Sequence, residues 1–195
     1  MNPRYCKTIL ITFLLCLSTV HIAFAQQLPQ PYTPPTASRL RIERLAIDTP
    51  IVISPYSAAL GTWNVARLRD RAGLLAYTPW VSQPGNTVIV GHVETPNRNP
   101  SLFFDLHLLE VGDVISVFDG QADWFYAVTE KFVVPYTDLT PVTRTEDKRL
   151  TLITCVYDSF QPDTREHLDR TVIVALPIAA PEPTPIPATE ATPAA

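Results

Sequence analysis

Past its first 25 residues the sequence holds one cysteine, no cluster of lysine and arginine, no gathering of metal-ligating side chains and no internal repeat. Each absence removes a class of explanation. A lone cysteine cannot close an intramolecular disulfide, so the fold must stand on its own core. A formal charge of −4 with no basic patch gives no electrostatic footing for nucleic acid. Glu94, Asp105 and Glu110 are acidic but read as solvated charges rather than a calcium site. No cofactor or metal site is expected.

The amino-terminal segment reads as an export signal. Arg4 and Lys7 precede an apolar run from about Ile9 to Val20, and Ala23-Phe24-Ala25 supplies a small-x-small cleavage site. Two outcomes stand for it: cleavage after Ala25, or retention of residues 8–24 as a membrane anchor. Cys16 lacks the small preceding residue that a lipidated cysteine requires. Residues 26–37 form a Pro-rich linker, and from Pro177 the chain is a Pro, Ala, Thr and Glu tail too poor in apolar periodicity to build a core. Between them, residues 38–176 leave roughly 140 residues for one domain.

Within that domain the pattern is mainly β. Strands are expected at Arg39-Leu40-Arg41-Ile42, at residues 47–53, at Thr87-Val88-Ile89-Val90 and at residues 114–118. Further strands are expected over residues 124–136, 149–155 and 170–176. Asp119-Gly120 turns the chain between residues 114–118 and a hairpin partner beginning at Trp124. Residues 58–84 read as turns with at most one short helix, and Ser101 is placed as N-cap of a helix carrying Leu102, Leu106 and Leu109 on one face. Trp63, Tyr77 and Trp80 read as core or groove lining. Residues 137–148 and 157–169 read as polar loops. Many short strands and frequent turns favour a barrel or sandwich over a parallel α/β sheet.

Arg149-Leu150-Thr151-Leu152-Ile153-Thr154-Cys155 alternates as a strand buried on at least one face and ends on the single thiol. Cys155 there is either a small core hydrophobe or a positioned nucleophile, and an unpaired thiol retained in an exported domain favours use. His92 stands at the end of its own strand, in Gly91-His92. A thiol nucleophile needs a proton acceptor and a cation near the developing oxyanion; His92 and Arg170 can supply them, though spacing alone does not bring them together.

Three segments carry a resemblance to a known family: Val88-Ile89-Val90-Gly91-His92, Thr151-Leu152-Ile153-Thr154-Cys155 and Arg170-Thr171-Val172-Ile173-Val174-Ala175. In this order they resemble the histidine, cysteine and arginine segments of sortases, of class D, E or F type, over about residues 38–176. The resemblance implies a closed eight-stranded β-barrel with short helices, and a cysteine transpeptidase at the cell surface. It also implies roles. Cys155 would form a thioacyl intermediate with a carboxy-terminal sorting signal of secreted proteins, and His92 would serve the leaving and incoming amines. Arg170, rather than mid-loop Arg165, would hold the oxyanion. The acceptor would be an amine of a peptidoglycan precursor or a pilin lysine. Residues 137–148 would help shape the groove but do not reveal its signal, and His107 and His167 are placed at the surface. Two other functions remain open: a noncatalytic sortase-like binding module with Trp63, Trp80 and Trp124 along a groove, and a hydrolytic cysteine peptidase.

Overall fold

The computed structural model describes residues 32–182. The leader, the anchor alternative at residues 8–24, most of the linker and residues 183–195 of the tail lie outside these described residues. Eight strands close a barrel: β1 (Arg39–Ile42), β2 (Ile47–Ser54), β3 (Ala72–Leu75), β4 (Asn86–Val90), β5 (Val114–Phe118), β6 (Asp123–Pro135), β7 (Arg149–Cys155) and β8 (Asp169–Ile178). Their order around the ring is β1-β2-β3-β4-β7-β8-β6-β5, with β5 returning to β1. The β2–β3 and β4–β7 pairs are parallel and the others antiparallel. The eight-stranded closed barrel implied by the family resemblance is therefore present.

Alternation along the strands sorts their side chains to two faces. Leu40, Leu74, Ile89, Tyr126, Leu152 and Ile173 belong to the main core cluster, each at most 1 % exposed. The opposite faces of β4, β7 and β8 are also buried, where Val88, Ile153, Val172 and Val174 form a second cluster with half-buried Trp63, Val134 and Val142. Both faces of β7 are thus covered. Burial of that kind fixes strand register, because a one-residue slip would exchange the two faces.

Several local expectations change. Residues 72–75 form β3, paired in parallel with β2, where turns were expected; Gly73 lets the Leu68 side chain pack against the strand, where an added Cβ would lie 2.7 Å from its methyl carbons. The helix expected after Ser101 is absent. The segment runs as turns with only a 3-10 turn at Leu106–Leu108, and Ser101 caps nothing. Its apolar residues still reach the core, since Phe103, Leu106 and Leu109 are fully buried. The described end of the linker has no regular structure but packs on the barrel: Tyr32 stacks on Trp80 with ring centroids 5.6 Å apart. β8 continues to Ile178, two residues past the boundary read from composition. No helix among the described residues is long and apolar enough to cross a membrane.

Candidate functional site

β7 and β8 pair antiparallel with Cys155 directly opposite Arg170. Opposed residues in such a pair project to the same face with their Cβ atoms about 5 Å apart. The register alone therefore sets a guanidinium beside the thiol. β4 lies on the other side of β7, in parallel, with Val90 opposite Ile153. The chain leaves β4 through Gly91, whose N–H donates to the Ile153 carbonyl (3.3 Å) and whose carbonyl accepts from the Thr154 hydroxyl (3.0 Å). His92 follows at once. Its carbonyl accepts from the Phe103 N–H at 2.9 Å, and the Phe103 ring lies so close over Gly91 that a Cβ there would sit 2.6 Å from it. A glycine before this histidine is thus demanded by packing.

Cys155, His92 and Arg170 line one cleft of about 250 Å³. Its floor is the outer face of the barrel, with Val90, Ile153 and Val172; its walls carry Trp63, Leu139 and Val142. The lining is mainly apolar, with Cys155, His92 and Arg170 among its few polar groups, an arrangement suited to an extended peptide.

The chemistry of each group follows from its surroundings. Burial pushes the Cys155 thiol above its ordinary range; the Arg170 charge pulls it down and the Glu94 charge pushes it up, without reversing the effect of burial. His92 Nε2 lies 2.9 Å from the Val65 carbonyl. A carbonyl only accepts, so Nε2 carries the hydrogen, and in the neutral ring Nδ1 is the acceptor. Arg170 Nη1 donates to the carbonyls of His167 (2.8 Å) and Asp169 (2.9 Å), and its guanidinium lies 5.8 Å from the Tyr136 ring centre. The other arginine considered, Arg165, is exposed, has a φ of 60°, and lines a neighbouring cavity with His167, Arg98 and His92, the last of which lines the cleft too.

Other candidates fall elsewhere. Trp80 is buried beneath Tyr32, and Trp124 is covered by the Lys148 ammonium 4.2 Å from its ring; only Trp63 of the three tryptophans lines the cleft. Tyr77 is 54 % exposed. His107 is exposed as expected, with Nδ1 donating to the Phe104 carbonyl at 3.1 Å. His167 and Glu94 correct the surface reading: their side chains are only 11 % and 10 % exposed and are bonded to each other. Sequence reasoning also passed over Asn86, taken only as part of a turn. It is buried at the start of β4, accepts from the Thr151 hydroxyl (2.7 Å), and donates to the carbonyls of Pro141 (2.9 Å) and Thr143 (3.1 Å). Asn86 thereby ties the cleft wall to β4 and β7. Among the described residues, no group of three or more His, Cys, Asp and Glu side chains is placed to hold a metal ion.

The fold and family have clear relatives. The chain resembles the structures of sortase A from Listeria monocytogenes (22 % identity, TM-score 0.58, covering 74 % of this chain and 88 % of that one) and sortase C-1 from Actinomyces oris (21 %, 0.60, 74 % and 75 %). It also resembles a sortase D5 transpeptidase from Clostridium perfringens, with 23 % identity, TM-score 0.57, and coverage of 73 % of this chain and 78 % of that one. No curated protein sequence matches it. The sortase-domain family model matches residues 40–178, from the second residue of β1 to the end of β8, and the chain belongs to the sortase family.

Proposed function

We propose that the protein is a cysteine transpeptidase that cleaves a carboxy-terminal sorting signal through a thioacyl intermediate on Cys155 and passes the acyl group to an amine. The observation that carries this reading is the placement of Cys155 opposite Arg170, with His92 lining the same cleft. Burial favours the neutral thiol, so the S–H proton must leave as sulfur bonds to the carbonyl carbon. His92 receives it. Arg170 faces the oxyanion with directed, permanently charged donors. Collapse of the tetrahedral intermediate breaks the C–N bond; the departing amine takes the proton from His92, leaving the acyl group on sulfur. An acceptor amine then attacks the thioester, passes its proton to His92, and the Cys155 sulfur is released to be reprotonated. In this reading the reaction runs at the cell surface, with a secreted protein as donor and a peptidoglycan precursor or pilin lysine as acceptor, and membership of the sortase family supports it.

The test is incubation with a sorting-signal peptide, followed by intact-mass analysis with and without an added amine. A peptide adduct on Cys155 that the amine discharges as a new amide supports transfer, and an adduct discharged only by water means a hydrolytic peptidase. Cys155→Ala should remain folded and form neither adduct nor product. Transfer surviving in that variant removes Cys155 as nucleophile. Failure of a thiol-directed electrophile to label the native chain at all indicates a noncatalytic binding module.

A further inference from the structure

Two largely buried titratable side chains behind the cleft, Glu94 and His167, take no part in the chemistry above. Glu94 lies two residues after His92, and His167 three residues before Arg170, so they come from the two chain segments that flank the site. His167 Nε2 is 3.0 Å from Glu94 Oε1, and His167 Nδ1 is 2.8 Å from the carbonyl of Val156, the residue after Cys155. Both partners are acceptors. Both ring nitrogens are thus engaged, Nδ1–H toward the Val156 carbonyl and Nε2 toward the Glu94 carboxyl group. Arg98 Nη1 donates to the same Glu94 oxygen at 3.0 Å, and its guanidinium lies over the rings of Phe160 (4.1 Å) and Tyr157 (4.9 Å). Phe160 in turn packs on the His167 ring, with centroids 5.2 Å apart. The other charged or titratable groups of this cavity are Arg69, Asp70, Arg165 and His92, which lines the cleft as well.

The cluster is an expensive way to hold two loops together. Glu94 Oε2 is buried without a hydrogen-bond partner, and a buried ion pair is often no more stabilising than apolar residues of equal volume. What it supplies is direction. The His167 carbonyl, fixed by the ring behind it, is the acceptor on which Arg170 Nη1 rests, while the ring's Nδ1–H holds the backbone next to the thiol.

We propose that Glu94 and His167 are positioning residues: their bond clamps the segment after His92 to the β7–β8 loop and thereby holds Arg170 in place beside Cys155. The inference rests on the proposed function only for the use made of Arg170, and one arm of its test needs no substrate. In that arm the pH profile of Cys155 alkylation by iodoacetamide is recorded, because Arg170 is the cation that favours the thiolate. His167→Phe keeps the packing against Phe160 but cuts both hydrogen bonds. It should move the profile to higher pH, and in the peptide assay lower kcat by about 100-fold at nearly constant KM, as for an angstrom-scale misplacement of a reacting group. Glu94→Leu should lower kcat comparably. Glu94→Gln retains an acceptor for the His167 ring and should restore kcat to within a few-fold.

An alkylation profile unmoved by His167→Phe, with activity falling only in step with melting temperature, overturns the proposal. So does a Glu94→Gln variant as damaged as Glu94→Leu, and that comparison decides alone if His167→Phe fails to fold. A wild-type chain that alkylates but transfers nothing sinks the proposed function, while the shift in His167→Phe still decides the clamp.

Discussion

The Thr154 hydroxyl donates to the Gly91 carbonyl at 3.0 Å, binding the strand that carries the thiol to the turn that carries the imidazole. Thr154 faces the opposite side of β7 from Cys155, so it steers the site from beneath. Thr154→Val keeps the shape and removes the bond. Chemical denaturation should show a loss of about 1 kcal/mol, and acylation should fall by about tenfold as His92 gains freedom relative to Cys155. Unchanged acylation in a destabilised variant would reduce this contact to a purely structural one.

Arg170→Lys keeps the charge but loses the planar fork in which Nη1 rests on the His167 and Asp169 carbonyls and the other guanidinium N–H groups remain for the oxyanion. The acylation rate should drop by about 100-fold with little change in melting temperature. Arg165→Lys should acylate normally, since that side chain is exposed outside the cleft. Inverted behaviour of the two variants would exchange their assignments.

For Cys155 the sign of the pH dependence is set by burial, which favours the uncharged thiol. Alkylation should therefore rise with pH and reach half its maximum above the pH of an unhindered thiol, and Arg170→Met should move that midpoint higher still. Linkage gives the matching stability effect: a thiol whose value is raised by folding stabilises the native state below the unfolded-state value, and that contribution is lost as pH rises through the folded one. A midpoint below that of a free thiol would mean that Arg170 outweighs burial.

Asn86→Leu leaves the Thr151 hydroxyl and two loop carbonyls without their partner. A loss of about 2–3 kcal/mol is expected from thermal or urea unfolding. Because Pro141 and Val142 form part of the cleft wall, KM for the peptide should rise more than kcat falls. Equal effects on the two parameters would detach this loop from peptide binding.

The strands most legible in the sequence were those with one apolar face and a turn on either side, such as Arg39–Ile42 and Val114–Phe118. Ala72–Leu75 escaped because it is buried on both sides and contains Gly73, so neither alternation nor composition marks it as a strand. Leu102, Leu106 and Leu109 do share a helical spacing, yet the bond from the Phe103 N–H to the His92 carbonyl and the seating of its ring over Gly91 hold that segment in turns. Tertiary contacts decided it. Cys155, His92 and Arg170 could be named from local motifs, but Glu94 and His167 meet across 73 residues, and no spacing rule connects them. Their burial is a property of the closed barrel and cannot be read from either segment alone.

The ring order has a consequence for the time at which reactivity arises. β8 is the last strand in the order of synthesis among the described residues, and it fills the gap between β6 and β7. Until it docks, both of those strands are open edges and Cys155 has no guanidinium opposite it. The parallel pairing of Asn86 with Arg149 also spans a long stretch of chain, and such non-local contacts form slowly. Closing the barrel and setting Arg170 opposite Cys155 are consequently a single event, so a partly folded chain carries the proposed nucleophile without the cation proposed to complete its site.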